Sequence, residues 1–302
     1  MSFLELRTLL QRHVRPDGAT SIKGVRVCST DRGEPARTGM SGTVLALVGQ
    51  GRKQLALGDD LFRYGVGQYL VTSVDLPVTG QFCDGGGEGP ALGFGMTLDP
   101  ADIAEVLLRD EQAPTRPPMT QARPGIGVSD ASAELLDAVV RLLRLLDRPR
   151  DLAVLAPLIK QEIIWLLLTG ERGDAVRELG LSNSRLSHVR RAVQWIRQNY
   201  TRPFRVEDVA QAAGMSVSAF HRGFQEITAM TPIQYQKQLR LQEARLLLAQ
   251  QPDDVTGVSL RVGYNNLSQF SREYRRQFGA PPSVDAARLR GHAFHEPVDA
   301  LL

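Results

Sequence analysis

A chain of 302 residues is too long for one ordinary core, and its apolar (42%) and charged (23%) fractions are those of a globular protein. Two domains are therefore expected. Two cysteines, Cys28 and Cys83, exclude a disulfide framework or a zinc cluster. The net charge of +3 divides unevenly: residues 181–302 carry sixteen Arg/Lys against ten Asp/Glu, whereas residues 1–180 carry twenty against twenty-three. A basic module suited to a polyanion follows a mildly acidic part.

The N-terminus lacks the basic-then-apolar pattern of a signal peptide. The longest purely apolar run, residues 163–168, is far short of the roughly 20 residues a bilayer span needs, so a cytoplasmic chain with no membrane partner is expected. Residues 25–96 alternate short strand-like runs with turn signals at Gly49-Gln50-Gly51, Gly58-Asp59-Asp60, Gly65, Gly67, Pro77 and Gly80. That pattern predicts a small antiparallel barrel or sandwich. Lys53, just after a glycine turn, reads as a solvated strand edge, although it could meet an acidic ligand. Residues 85–90 (Gly-Gly-Gly-Glu-Gly-Pro) read as a loop. Asp99 and Pro100 have the residue types of an N-cap and first helical position. A proline-rich linker, with Pro114, Pro117, Pro118 and Pro124, comes next. Residues 129–146 and 152–168 are helical, with more leucine than one buried stripe requires, which suits a homodimer interface.

From residue 187 the chain is helical, basic and repeated. Phe220, Arg222 and Phe224 recur as Phe270, Arg272 and Tyr274, each shifted by 50, and Ser216 becomes Asn266. With a shift of 49, Val209, Ala210, Ala213 and Gly214 become Val258, Ser259, Val262 and Gly263. Each unit reads as a short helix, a glycine turn, an N-cap (with Gln269 at the capping-box position of the second) and an amphipathic helix, the order of a helix-turn-helix. In the second unit Phe270, Tyr274 and Phe278 share one face, and serines and arginines the other. Such a helix anchors by its apolar side and presents the other to base edges in a major groove of double-stranded DNA. Residues 231–250 join the units as one helical pattern, about 30 Å long, close to the roughly 34 Å between successive grooves.

At these residues, 193–290, the sequence resembles the AraC/XylS family of bacterial transcription regulators, through "FRVEDVAQAAGMSVSAFHRGFQEITAMTPIQYQKQLRLQEARLLL" and "VSLRVGYNNLSQFSREYRRQFGAPP". By position the resemblance implies base contacts from Ser218, His221 and Arg222 in the first reading helix. In the second it implies Leu267, Ser268, Ser271 and Arg272. Arg222 and Arg272 have the chemistry to bond guanine bidentately, and Ser216 and Arg275 are assigned to phosphate. Asp285 stands where the family often has tyrosine, so a different packing of the terminal helix is expected. The first reading helix is poor in large side chains, which throws much of the reading onto the second. The N-terminal part is similar, less specifically, to the family's sensor domain, a cupin-like barrel followed by dimerisation helices. The supporting runs are "VGQGRKQLALGDDLFRYGVGQYLVTSVDLPVTGQ" and "LTGERGDAVRELGLSNSRLSHVRRAVQWIRQNY".

The expected architecture is thus α+β. Residues 1–112 form a cupin-like antiparallel β-barrel that takes a small-molecule effector, 113–128 a linker, 129–186 a helical dimerisation region, and 187–302 an all-α double helix-turn-helix domain. RNA polymerase is a further partner if the protein activates. No cofactor is implied. None of the five histidines (His13, His188, His221, His292, His295) falls in the barrel stretch, so a histidine-ligated metal there is excluded by count, and no catalytic or phosphate-binding set emerges from spacing. His188 and His221 read as surface or DNA-facing. A cupin-type enzyme fused to a DNA-binding domain is the remote alternative. The nearer one is a thiol sensor acting through Cys83 in "QFCDGGGEG", although Asp84 disfavours the thiolate; Cys28 reads as a small buried hydrophobe.

Overall fold

The computed structural model describes residues 3–31, 36–58, 60–83, 89–109, 125–182 and 184–289. It divides into two compact units, with the main boundary between Ser187 and His188. In the first unit, helix α1 (Phe3–His13) precedes strands β1 (Val25–Thr30), β2 (Arg37–Met40), β3 (Val44–Gln50), β4 (Arg52–Leu57), β5 (Asp60–Gly65), β6 (Gln68–Thr72), β7 (Pro77–Cys83) and β8 (Ala91–Thr97). Helix α2 (Pro100–Arg109) and strand β9 (Ile126–Asp130) follow.

The strands form two antiparallel sheets, ordered β1-β8-β3-β6-β9 and β2-β7-β4-β5. The sheets do not close, which corrects the expected barrel to two open layers. Closure fails because the two sets pair only within themselves, apart from an isolated bridge between Val48 and Val66. The outer face of the larger sheet is covered by α1, whose Leu6, Leu9 and Leu10 are buried. Gly49 lies in β3, where a Cβ would stand 2.3 Å from Leu10 Cδ1, so only glycine lets the helix approach. Gly51, Gly58 and Gly67 do make turns with positive φ, whereas Gly65, Pro77 and Gly80 fall inside strands. Lys53 is not a solvated edge: β4 is an inner strand and the side chain is 2% exposed.

The loop at 84–88, most of the linker (110–124) and the last residues, 290–302, lie outside the described residues. Residues 126–128, expected to be linker, belong to β9, which pairs with β6. The helix expected from 129 begins later, as α3 (Ala133–Arg144), because Ser132 caps it by accepting from the Leu135 amide at 3.2 Å. Asp99 likewise accepts from the Ala101 amide at the start of α2. Helix α4 (Leu152–Thr169) buries Ile163, Ile164, Leu167 and Leu168 but exposes Val154, Leu155, Leu158 and Trp165. By length and composition alone α4 could cross a membrane, although its longest purely apolar run is still residues 163–168. Lys160 and Glu162 at its middle pair with Asp102 and Arg141, as in a helix lying on a protein core. Helix α5 (Gly173–Gly180) completes the unit.

The rest is helical: α6 (Arg185–Asn199), α7 (Val206–Ala213), α8 (Val217–Thr228), α9 (Pro232–Gln250), α10 (Val255–Arg261), α11 (Leu267–Phe278) and α12 (Pro282–Leu289). Helix α9 starts with a full capping box between Thr231 and Gln234 and is buried on several sides. Its Tyr235 packs edge-on against Phe224 of α8, 5.7 Å between centroids. Leu241, Ala244 and Leu248 join Val258, Val262, Tyr264, Phe270 and Tyr274 in the second core.

Polar pegs complete the attachment. Gln236 donates to the Tyr200 and Arg202 carbonyls. Arg240 donates to those of Tyr200 and Gly263. Lys237 pairs with Glu273 of α11 at 3.0 Å, and Arg245 grips Asp285 of α12 with two nitrogens, at 2.9 and 3.3 Å. Tyr264 and Tyr274 donate to Glu273 and Asp285, each at 2.8 Å. Asp285 is therefore a buried acceptor holding α12, at the position where tyrosine was expected. Burial pushes the Glu273 carboxyl up, but hydrogen bonds from Lys237, Tyr264 and Gln269 outweigh it and leave the group below its ordinary value.

Two glycines and one carboxylate test this packing. At Gly263 (φ +91°) a Cβ would sit 2.1 Å from the Thr201 carbonyl oxygen, whereas at Gly279 (φ +76°) it would meet nothing within 4 Å. Gly263→Ala should cost about 3 kcal/mol or more, from strain plus overpacking, and Gly279→Ala about 1–2 kcal/mol from strain alone. Urea unfolding of both variants measures the difference. Because folding lowers the Glu273 pKa, its contribution is present above the unfolded carboxylate value of about 4.3 and is lost as pH falls through the folded value. Glu273→Gln should thus unfold more easily than the parent at pH 7 and converge with it in acid, read from urea midpoints across pH.

Candidate nucleic-acid interface

Both repeats fold as a helix, a tight turn and a second helix. After α7 the chain turns at Gly214 (φ +72°), and after α10 at Gly263. Ala210 and Ser259, at matching positions, are each 1% exposed. Their small size lets the paired helices approach, and the Ser259 hydroxyl is satisfied within α10 by the Thr256 carbonyl.

Helix α8 is capped by Ser216, which accepts from the Ala219 amide at 3.4 Å. It is anchored by Phe220 and Phe224, both fully buried with rings 5.3 Å apart. That anchoring turns Ser218, His221 and Arg222 outward, and all three are exposed. Gln225 is exposed one turn further along the same stripe. The 218–222–225 spacing already implied it, but the expectation omitted it.

Helix α11 is capped by Asn266, whose side chain accepts from the Gln269 amide at 2.9 Å. Gln269 does not complete a capping box: its side chain donates instead to Glu273 at 3.2 Å. Phe270 and Tyr274 are fully buried and Phe278 is half-buried. Leu267, Ser268, Arg272 and Arg275 are exposed and Ser271 partly so, on the opposite face. Asn265 and Arg276, missed by the sequence reading, are exposed beside them. Among the described residues, Arg222, Arg272 and Arg275 make no ion pair with the chain, so their guanidinium groups are available to bases or phosphates. Helix α9 between the repeats has 19 residues, about 28 Å.

Two other residues resolve differently from their reading. His188 approaches the Ala213 carbonyl with Nδ1 at 2.7 Å, and Arg191 donates to the same oxygen at 3.1 Å. His188 thus covers the end of α7. Cys83, at the end of β7, is half-buried with its sulfur 3.2 Å from the Gln54 side-chain amide. Among the described residues no group of three or more His, Cys, Asp or Glu is placed to hold a metal.

Residues 21–175 match the family described as the AraC-type transcriptional regulator N-terminus, and residues 209–288 a helix-turn-helix domain. Curated relatives include the HTH-type transcriptional activator RhaS of Salmonella schwarzengrund, 28% identical over 49% of this chain and 53% of that one. A probable thc operon regulatory protein of Rhodococcus erythropolis is 32% identical over 50% of this chain and 47% of that one. The chain thus spans about half the length of the curated relatives it matches. In overall fold it is similar to ToxT of Vibrio cholerae, with a TM-score of 0.58 at 7% identity, covering 89% of this chain and 100% of that one. The N-terminal match alone takes in more than half of the residues, and with the helix-turn-helix match behind it the chain belongs to the AraC/XylS family of transcriptional regulators.

Proposed function

We propose that the chain is a sequence-specific DNA-binding transcription regulator that reads two adjacent major grooves through α8 and α11 and answers to a small molecule taken up by the N-terminal unit. The observation that carries this reading is the repeated helix pair with an exposed polar and basic stripe on each second helix. Helix α9, near 28 Å, suits the roughly 34 Å between grooves. Base reading falls to Ser218, His221, Arg222, Leu267, Ser268, Ser271 and Arg272, and phosphate contact to Ser216 and Arg275. Relatives described as transcriptional activators support activation, with RNA polymerase as partner, in the cytoplasm and without catalysis. ToxT has been solved with an unsaturated fatty acid bound, which supports a small-molecule role for this fold. Effector binding would act by favouring one of two states of the protein that differ in affinity for DNA.

Dimerisation belongs to the same proposal. Val154, Leu158 and Trp165 share one stripe of α4 and are 66%, 56% and 40% exposed, an apolar strip suited to a second copy. This role covers the segment 129–186 as a dimerisation region between the sensing residues and the reading residues from 187. The thiol-sensor alternative rests on Cys83 alone and is separated by Cys83→Ser, which should leave the transcriptional response intact.

Arg272→Ala should cost about 1–3 kcal/mol and relax preference at one base pair, whereas Arg275→Ala should weaken all sequences alike and flatten the salt dependence. Binding to a duplex selected from a random pool, with single-base variants and a salt series, measures both. Equal, sequence-independent losses would remove the assignment of the faces. Leu158→Asp should convert a sedimenting dimer at micromolar concentration to a monomer, and a monomeric parent would remove the dimer.

A further inference from the structure

Gln225 closes the outward stripe of α8. Ser218 and Gln225 are seven residues apart, so they differ by only about 20° around the helix axis, and Arg222 lies between them. All three are exposed, whereas Phe220 and Phe224 are fully buried on the other side. Among the described residues the Gln225 side chain has no hydrogen-bond partner, so its amide oxygen and nitrogen are both open. From Ser218 to Gln225 the helix rises about 10 Å. That is the height of about three base pairs at roughly 3.4 Å each.

The second repeat argues against a phosphate role. With the shift of 50, Ser218 matches Ser268 and Arg222 matches Arg272, but Gln225 and Glu226 stand where α11 has Arg275 and Arg276. Those two arginines are exposed and cationic, as a grip on phosphate requires. Neither Gln225 nor Glu226 is cationic, so the end of the first stripe lacks the charge that attracts a phosphate. A phosphate oxygen also uses only the donor half of a glutamine amide and leaves its carbonyl unmatched.

A base edge can use both halves. Adenine offers the major groove an N6 donor beside an N7 acceptor, the complement of a carboxamide. Guanine offers two acceptors, N7 and O6, which match the paired donors of a guanidinium such as that of Arg222. Side-chain length follows the same order along the helix. The N-terminal end of such a helix lies nearest the bases. The short Ser218 is there, and the longer Arg222 and Gln225 follow where the axis rises away.

We infer that Gln225 is a base-reading residue that recognises adenine, one or two base pairs from a guanine read by Arg222. The carboxamide oxygen accepts from N6 and its nitrogen donates to N7. The two reading helices are then unlike: α8 ends its stripe on a base, and α11 ends its stripe on the phosphate backbone. This assignment rests on the DNA reading proposed above and gives it a base and the atoms that meet.

The test uses the full chain and a duplex that it selects from a random pool. Single-base variants of that duplex, bound by the parent and by Arg222→Ala, first locate the position that Arg222 reads. The expected result is an adenine one or two pairs away, where replacement by 7-deazaadenine, which lacks the N7 acceptor, weakens binding at least ~fivefold. Gln225→Ala should lose that sensitivity and accept other bases there. It should keep the salt dependence of the parent, because no charge is removed. The 7-deazaadenine comparison in the parent needs no variant, so it decides whatever Gln225→Ala does to folding. A Gln225→Ala protein with every base preference of the parent, or with a uniform loss across sequences, would overturn the inference. So would a loss confined to the position that Arg222 reads, which would make Gln225 a support for Arg222. A parent that selects no duplex removes the DNA reading itself and the adenine contact with it. A parent that selects sharply but ignores 7-deazaadenine at every adenine keeps the reading and removes only the contact.

Discussion

The attachment of α9 by polar pegs, Gln236 buried and Lys237, Arg240 and Arg245 partly so, is the constraint on which the DNA-facing unit depends. Apolar contact alone positions a helix loosely about its own axis, because leucines tolerate rotation and sliding. Hydrogen bonds and ion pairs in a desolvated setting do not, since each misplaced partner leaves an unsatisfied group behind. Gln236, Lys237, Arg240 and Arg245 project from one helix to four separate places: the end of α6, the turn at Gly263, the inner face of α11, and α12. Together they set how far α11 can turn, and hence which of its side chains face outward. The exposed positions of Ser268, Arg272 and Arg275 are a consequence of Glu273, which faces the other way.

The same logic separates the two sides of each second helix. Aromatic residues four apart supply anchoring area, and their neighbours are left free to vary without loss of the fold. In α8 the anchors are two phenylalanines; in α11 one is a tyrosine whose hydroxyl also enters the polar network. A scaffold that confines its energetics to one face can change its recognition chemistry on the other. This matches a family in which one arrangement of helices serves many regulators.

The helical unit was largely legible in the sequence because its determinants are local. The N-caps, the glycine turns and the 3.6-residue spacing of Phe220, Phe224, Phe270 and Tyr274 act within a few residues of each other, and the repeat supplied each signal twice. What escaped were contacts between distant residues. Gln269 bonds Glu273 rather than the cap because Lys237, thirty-six residues before Glu273, already draws that carboxylate inward. In the sheets the failure was wider. Gly65, Pro77 and Gly80 looked like turns and are strand residues, since strand pairing overrides local preference. Lys53 looked like an edge because nothing in its own neighbourhood announces that β5 and β7 flank it. Closure of the layers was likewise a non-local property. The apolar excess of α4 was visible, but its length as a helix exceeded any single apolar run, because Lys160 and Glu162 interrupt the composition without interrupting the helix.

The segment before the first repeat is held to α9 through backbone carbonyls alone, whereas the second repeat is held through the Gly263 carbonyl and through side-chain carboxylates. Gln236 reaches backbone carbonyls, which every residue type supplies, whereas Lys237 and Arg245 reach the side chains of Glu273 and Asp285. A carbonyl survives any exchange at its own position; a carboxylate does not. Descendants of this sequence can therefore change the residues that Gln236 touches one at a time. In the second repeat an exchange at Glu273 or Asp285 strands a lysine or arginine together with a tyrosine, and is tolerated only when several positions change together. The segment before the first repeat and the second repeat are thus set to diverge at different rates, the former by single steps and the latter by concerted ones.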